Sequence, residues 1–387
     1  MKKNISILGS TGSIGVSTLK IIEKNKNLFN VKMLSANKNY RLIINQIRNY
    51  KPNYFVISDK ITFNKIKKKI RGNKTKILNS FENIKLKKKL DISISAIPGI
   101  AGLSPTILMT KLTKKLLIAN KESIICGWQL LRSNAKKYKS KIIPLDSEHY
   151  SISKLIENHH ISEIKKIYLT ASGGPFLDYS PRQLKKVKPQ DALKHPKWKM
   201  GKKITIDSST LMNKILELIE AQRIFNIPNN KIDILIHPNS LVHAIVQFKN
   251  GLTKILYHET SMIIPIANAI FDKGLNIKKY YKKDNLMKNI TTNLIFKKVD
   301  KKNFPIINLK KRVIEYPSTP IIINAANEIF VEQFLLKKLP FLSIYKLIFG
   351  VMKDRNYKKY AIKVPKNLHQ ILMINDWAKK ITHTLLR

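Results

Sequence analysis

At 387 residues the chain is too long for one ordinary hydrophobic core, and its 43% hydrophobic content can fill two or three. Lys plus Arg outnumber Asp plus Glu 73 to 24, a formal net charge of +49. The lysines are scattered, with no basic tail and little Arg, which reads as drift toward A/T-rich codons and not as a nucleic-acid-binding surface; such a field still favours phosphorylated ligands. No apolar run is long enough to span a membrane, the start does not read as a signal peptide, and the one cysteine, Cys126, cannot form an internal disulfide. The expectation is a cytoplasmic protein with neither nucleic acid nor membrane as partner.

In chain order, short apolar runs at Ile5–Leu8, Val31–Ser35, Phe55–Ser58, Ile92–Ile97, Leu116–Ala119 and Ile142–Leu145 alternate with stretches long enough for helical crossovers. That is the pattern of a parallel sheet wrapped by helices. Ile232–Ile236, Leu241–Phe248 and Leu252–Tyr257 read as strands of an antiparallel or mixed sheet. Asn250-Gly251 predicts a tight turn with positive φ at both residues. A Lys/Asn-rich stretch near Lys273–Asn289 reads as a linker. From Thr319 onward the chain looks helical, with apolar spacing of three and four over Asn324–Leu336, Leu342–Met352 and Leu368–Ile381. The expected class is α/β. A Rossmann-like parallel sheet occupies 1–146, an α+β catalytic domain with a mixed sheet 147–271, a linker 272–297 and a C-terminal helical domain 298–387.

Gly9-Ser10-Thr11-Gly12-Ser13-Ile14-Gly15 directly follows the first strand, and Val16, Leu19 and Ile22 continue at helical spacing. Glycines let backbone approach a pyrophosphate, and a helix N-terminus offers N–H groups and positive potential. At the end of the second strand, Ser35-Ala36-Asn37-Lys38-Asn39 has no acid to hold a ribose 2′-hydroxyl. Lys38 can neutralise a 2′-phosphate there, with Ser35 and the asparagines as hydrogen-bond donors, so NADPH is expected over NADH.

Asp146-Ser147-Glu148 closes a strand-like run. On extended chain, residues two apart face the same side, so both carboxylates point to one place at the carboxyl end of the sheet. Hard oxygen donors suit Mg²⁺ or Mn²⁺. In Asp207–Glu217, Ser208–Thr210 looks like a helix start. Asn213, Lys214 and Glu217 then share a face, offering a phosphate grip and a third metal oxygen. Thr170-Ala171-Ser172-Gly173-Gly174-Pro175-Phe176 suggests a phosphate nest. His195–Gly201, with Trp198 and Met200, suits a mobile lid.

Together with Gly99-Ile100-Ala101-Gly102-Leu103, Ala119-Asn120-Lys121-Glu122-Ser123, His237-Pro238 and Asn324-Ala325-Ala326-Asn327-Glu328, these segments closely resemble the 1-deoxy-D-xylulose 5-phosphate reductoisomerase family of the non-mevalonate isoprenoid pathway. The resemblance runs in the same order over most of the chain. It implies NADPH- and metal-dependent rearrangement and reduction of a small sugar phosphate, with Mg²⁺, Mn²⁺ or Co²⁺, in a homodimer. It implies that Thr11, Gly12, Ser13 and Ile14 hold the pyrophosphate, that Asn37, Lys38 and Asn39 sit by the adenosine end, and that Asn120, Glu122 and Gly201 also contact cofactor. Asp146, Glu148 and Glu217 would ligate the metal. Lys121, Ser147, Glu148, Ser172, His195, Ser208, Asn213, Lys214 and Glu217 would bind substrate, with Lys121, Glu148 and His195 catalytic and Trp198 and Met200 on a flap. The chain departs from the family pattern twice: Asn37 stands where Gly is usual, and Thr260–Ile266 lacks the Asp and Arg of Pro-Asp-Met-Arg-x-Pro-Ile. The residues alone also admit a different NADP-dependent dehydrogenase, whose hydride transfer would resist chelators, a basic nucleic-acid binder, or a relative without turnover.

Overall fold

The computed structural model describes residues 1–70, 72, 74–198, 200–271, 274–280 and 293–386. They form two compact units. The first combines Met1–Ser123, Gln129–Asp146 and the described part of Ser261–Asn285; the second combines Ile124–Trp128, Ser147–Thr260 and the described part of Leu286–Arg387. Most of the expected linker, 272–273 and 281–292, lies outside the described residues.

The first unit is built on seven strands: β1 (Lys3–Leu8), β2 (Phe29–Ala36), β3 (Tyr54–Ile57), β4 (Lys76–Leu78), β5 (Leu90–Ser95), β6 (Thr113–Ile118) and β7 (Lys141–Pro144). They are ordered β4-β3-β2-β1-β5-β6-β7, and every pairing is parallel. The order reverses at β1, which lies between β2 and β5, so the glycine loop leaves the sheet at its switch point. Ile5, Ile7, Leu8, Phe55, Ile92, Ile94, Leu116 and Leu117 are buried, as expected for a sheet covered on both faces. Each such burial contributes about 2 kcal/mol.

The helices of this unit begin at α1 (Ser13–Glu23), α2 (Tyr40–Tyr50), α3 (Lys60–Lys69), α4 (Leu103–Leu112) and α5 (Lys121–Lys137). Asn39, Asp59 and Asn120 cap α2, α3 and α5 by accepting from the N–H of Leu42, Thr62 and Ser123. α5 breaks at Gly127, where the backbone leaves helical geometry.

In the second unit follow α6 (Ser147–Leu155), β8 (Ile164–Ala171), α7 (Pro181–Leu184), α8 (Pro189–Ala192), α9 (Lys202–Ser209), α10 (Met212–Phe225), β9 (Ile232–Ile236), β10 (Val242–Phe248) and β11 (Thr253–Tyr257). With β12 (Lys297–Lys298) the strands form a mixed sheet, β11-β10-β8-β9-β12, in which only β8 and β9 run parallel. The β10–β11 hairpin forms as expected, but by a different turn. Gly251 alone takes positive φ, at 89°, while Phe248 O accepts from Gly251 N–H. Asn250 instead accepts from Leu252 N–H through Oδ1. A turn with one left-handed residue, Gly251, replaces the expected turn with two.

α11 (Ile263–Ile270), which the sequence alone groups with the catalytic segment, belongs to the first unit. Phe271, just after it, meets Phe29 edge-on at 5.7 Å and stacks on Tyr280. The C-terminal helices are α12 (Thr319–Leu335), α13 (Ser343–Val351), α14 (Tyr357–Ala361) and α15 (Leu368–Thr384). Among the described residues no helix is long and apolar enough to cross a membrane.

Candidate active site

The glycine loop is shaped by contacts that leave no room for side chains. Gly9 has φ 79°, and a Cβ there would meet Ala96 O at 2.5 Å; one on Gly15 would meet Gly9 O at 2.4 Å. Gly9 N–H donates to Ser35 Oγ (3.0 Å), and Ser10 Oγ donates to Gln46 Oε1 (2.6 Å). Ser35 is buried, and its Oγ braces the loop as an acceptor. Gly12 and Ser13 are exposed at the start of α1, and no side chain caps Gly12. Thr11 and Ile14 flank them, half-buried. Asn37, Lys38 and Asn39 are exposed beyond β2, and no acid follows that strand. These features fit a dinucleotide with a 2′-phosphate.

At the same carboxyl end of the sheet, after β5 and β6, Asn120 Nδ2 donates to Gly99 O (3.1 Å) and to Glu122 Oε2 (3.0 Å). Gly102 has to be glycine here, because a Cβ would lie 2.4 Å from Ile97 O and 3.1 Å from Asn120 Cγ. Lys121 Nζ donates to Asp146 Oδ2 at 3.1 Å, both side chains largely buried.

Asp146 follows β7 by two residues, and Ser147 and Glu148 already belong to α6. The expected extended geometry is thus wrong: helix, not strand alternation, sets the direction of Glu148. The carboxylates still converge. Oxygens of Asp146, Glu148 and Glu217 lie within 4.8 Å of one another. Asp146 and Glu148 are near each other because the chain joins them two residues apart; Glu217 arrives from α10. Three hard oxygen donors at this spacing could hold a Mg²⁺ or Mn²⁺ ion. Lys214 Nζ donates to Glu148 Oε1 (2.8 Å) and Glu217 Oε2 (2.5 Å). Asn213 Nδ2 also donates to Glu217, and Ser147 Oγ donates to Glu148 Oε2 (2.6 Å). Asn213, Lys214 and Glu217 share one helical face, as their spacing predicts.

Ser208–Thr210 is not the start of that helix. It ends α9, and Leu211 with φ 66° turns the chain into α10. The consequence is a hydroxyl cluster. His195 Nε2 lies 3.1 Å from Ser172 Oγ and 3.1 Å from Ser208 Oγ. Gly174, with φ 67°, admits this approach: a Cβ would sit 2.9 Å from Ser209 Cα. His195 Nδ1 accepts from the N–H of Lys197 and Trp198, so Nε2 carries the proton. Burial, then the charge of Lys214, pushes the imidazole down to about 4. Thr170 is no part of a phosphate nest; it is buried in β8 and donates to Val242 O. Trp198 and Met200 are half-buried, and Gly201 is exposed just before α9.

Three family profiles match the chain: 1-deoxy-D-xylulose 5-phosphate reductoisomerase over residues 5–127, its C-terminal domain over 142–225, and the DXP reductoisomerase C-terminal domain over 258–381. A 1-deoxy-D-xylulose 5-phosphate reductoisomerase of Pelagibacter ubique is 42% identical over 380 residues, 97% of each chain. The chain belongs to the 1-deoxy-D-xylulose 5-phosphate reductoisomerase family. A relative of the same description from Wolbachia of Drosophila simulans is 41% identical over 91% of this chain and 90% of its own. Among solved structures, a DOX-P reductoisomerase in complex with NADPH, fosmidomycin and magnesium superposes with TM-score 0.92 at 31% identity, covering 99% of this chain and 98% of that one. The reductoisomerase of Zymomonas mobilis in complex with NADPH gives 0.88 at 30% identity over 100% of both chains.

Asn37 and Ser261 have local roles at the two departures from the reductoisomerase pattern; Ile263 in place of the Arg has no structural explanation. Asn37 does not adopt positive φ, so glycine is not required, and its Oδ1 accepts from Ser58 Oγ (3.2 Å). Ser261, in place of the acid, accepts from Ile263 N–H through Oγ (3.3 Å) at the turn into α11. The structure also adds residues to this reductoisomerase site that sequence reading passed over. His149 Nε2 donates to the backbone oxygen of Glu217 at 2.8 Å, and His149 and Glu220 can join Asp146 in a second group of possible ligands. His243 lies 4.0 Å from Glu148 Oε1. It stacks on His258, whose imidazole is pushed down to about 3 by burial and then by His243. His149 adjoins the Asp-Ser-Glu run and could have been suspected; a single histidine within the apolar run of β10 gives no such signal.

Proposed function

We infer that the chain rearranges and reduces 1-deoxy-D-xylulose 5-phosphate to 2-C-methyl-D-erythritol 4-phosphate. The observation that carries this reading is the convergence of Asp146, Glu148 and Glu217 on one point, with Lys214 and Asn213 on the same helical face as Glu217. When bound, a divalent cation supplies Lewis acidity at substrate oxygens during the carbon shift, and NADPH supplies the hydride.

The chain's own residues do the rest. Asp146, Glu148 and Glu217 hold the cation. Ser172, Ser208, Asn213, Lys214 and His195 bind the substrate, several of them at its phosphate; a remote anchor of this kind fixes the reacting carbons. A neutral His195 serves there as an Nε2–H donor. Lys121 orients substrate oxygens, and Asn120 with Glu122 lies toward the cofactor. Trp198 and Met200 close over the site and exclude water. Thr11–Ile14 cradle the pyrophosphate, and Lys38 between Asn37 and Asn39 meets the 2′-phosphate. In this division of labour, 1–146 binds cofactor, 147–260 carries the chemistry and 298–387 buttresses it, while α11 packs with the cofactor unit. The edge strand β11 leaves Ile255 exposed and Leu252 beside it, which suits a homodimer contact. The single cysteine accords with a cytoplasmic enzyme.

The test is oxidation of NADPH with 1-deoxy-D-xylulose 5-phosphate, in EDTA and after adding Mn²⁺. Turnover abolished by EDTA and restored by Mn²⁺ is expected. Chelator-resistant turnover, or none with Mn²⁺, refutes the reading.

A further inference from the structure

The hairpin of β10 and β11 carries two buried histidines that the reaction, as described, does not use. Val242 opposes Tyr257 and Ala244 opposes Leu256, so His243 is the extra residue of a β-bulge. A bulge re-aims a side chain that regular alternation would point elsewhere. His243 Nε2 lies 3.1 Å from the carbonyl oxygen of His258. A carbonyl only accepts, so Nε2 carries a proton and the opposite edge of the ring, Nδ1, faces Glu148 Oε1 at 4.0 Å. The same ring meets Trp198 edge-on, 6.1 Å between centroids at 76°.

What fixes the His243 ring is His258. The two rings stack at 3.7 Å and 17°. His258 is itself tied down at two points: Nδ1–H donates to Glu259 O (2.7 Å), and its backbone N–H donates to Leu241 O (3.0 Å). Two core histidines packing for bulk alone would need neither the bulge nor a His243 ring that meets both Glu148 and Trp198.

We propose that His258 is a positioning residue of the active site: its flat face holds His243 against Glu148 and Trp198, so one stack of rings sets both the carboxylate cluster and the flap. This rests on the reading of Glu148 as a cation ligand and Trp198 as part of a flap. Removing the face should loosen both, as loss of a supporting partner weakens metal binding elsewhere by about 10- to 100-fold.

The experiment compares His258→Ala, which removes the face, with His258→Phe, which keeps a flat ring. Three quantities are read on the full-length chain: Mn²⁺ affinity by titration, KM against kcat, and the tryptophan emission lost on Trp198→Phe substitution, measured in EDTA. His258→Ala should weaken Mn²⁺ binding and raise KM for substrate by about tenfold or more, with kcat at saturating Mn²⁺ and substrate within about threefold of the original. It should also shift the Trp198 emission. His258→Phe should restore all three. If the alanine variant does not fold, His258→Leu, apolar but without a flat face, takes its place. Unchanged Mn²⁺ affinity and KM in the alanine or leucine variant overturns the proposal, as does a phenylalanine variant no better than they are. A parent chain that binds no Mn²⁺ refutes instead the functional reading beneath it.

Discussion

Lys214→Met isolates the electrostatics of the carboxylate cluster. The ammonium of Lys214 is 8% exposed and bridges Glu148, 13% exposed, and Glu217, 1% exposed, so the pair energies of open surface do not apply. Methionine keeps most of the aliphatic bulk and removes only the charge. The carboxylate oxygens of Asp146, Glu148 and Glu217 then repel one another across 4.8 Å or less, at least about 3.5 kcal/mol per pair at an effective dielectric of about 20. Breaking a buried ion pair from one side costs about 3–5 kcal/mol by the same logic. A divalent cation should replace the missing charge, contributing about 2.7 kcal/mol at a hundred times its dissociation constant. Urea unfolding in EDTA should therefore show the variant about 3–5 kcal/mol less stable than the parent, and saturating Mn²⁺ should recover at least half of that loss. A loss under about 1 kcal/mol, or one that Mn²⁺ leaves untouched, would refute the picture of three largely buried carboxylates held by a cation.

Gly15→Ala would drive a Cβ to 2.4 Å from Gly9 O and 2.5 Å from Ser10 Cα, both backbone, so the loop must deform. NADPH binding, read by its fluorescence, should fall by at least about tenfold, or about 1.4 kcal/mol, and unaltered binding would contradict the loop assignment. Lys38→Ala should weaken NADPH by a similar factor while leaving NADH nearly unaffected; equal losses would remove Lys38 from the 2′-phosphate. His195 is held down to about 4, whereas an imidazole in the unfolded chain protonates near 6.5. The unfolded state thus takes up the proton first, so this residue's contribution is intact above about pH 6.5 and is lost as pH falls toward about 4. His195→Gln should flatten that slope in urea midpoints measured between about pH 7.5 and 4.5, and parallel curves for parent and variant would contradict it.

The parallel sheet was legible because buried strands such as Ile5–Leu8 and Leu116–Ile118 write continuous apolar runs, and because a glycine loop at a strand end has few other uses. Lys76–Leu78 and Lys297–Lys298 were not, being short edge strands whose residues stay half exposed or exposed. Helical spacing correctly grouped Asn213, Lys214 and Glu217. It could not place the end of α9, because the turn at Leu211 depends on a left-handed backbone that leucine does not advertise. Strand alternation was the wrong rule for Asp146 and Glu148, since the strand stops at Pro144 and a helix begins at Ser147. His243 was hidden for a related reason: its direction comes from one residue of slipped register, set by cross-strand pairing and not by local sequence.

Calorimetric titration of Mn²⁺ into the parent chain and into Asp146→Asn, Glu148→Gln and Glu217→Gln bears most directly on the site. One ion per chain in the parent, with each single substitution sharply weakening it, is the expected result. Parent-like binding in any two of the three variants would mean that these carboxylates do not share an ion.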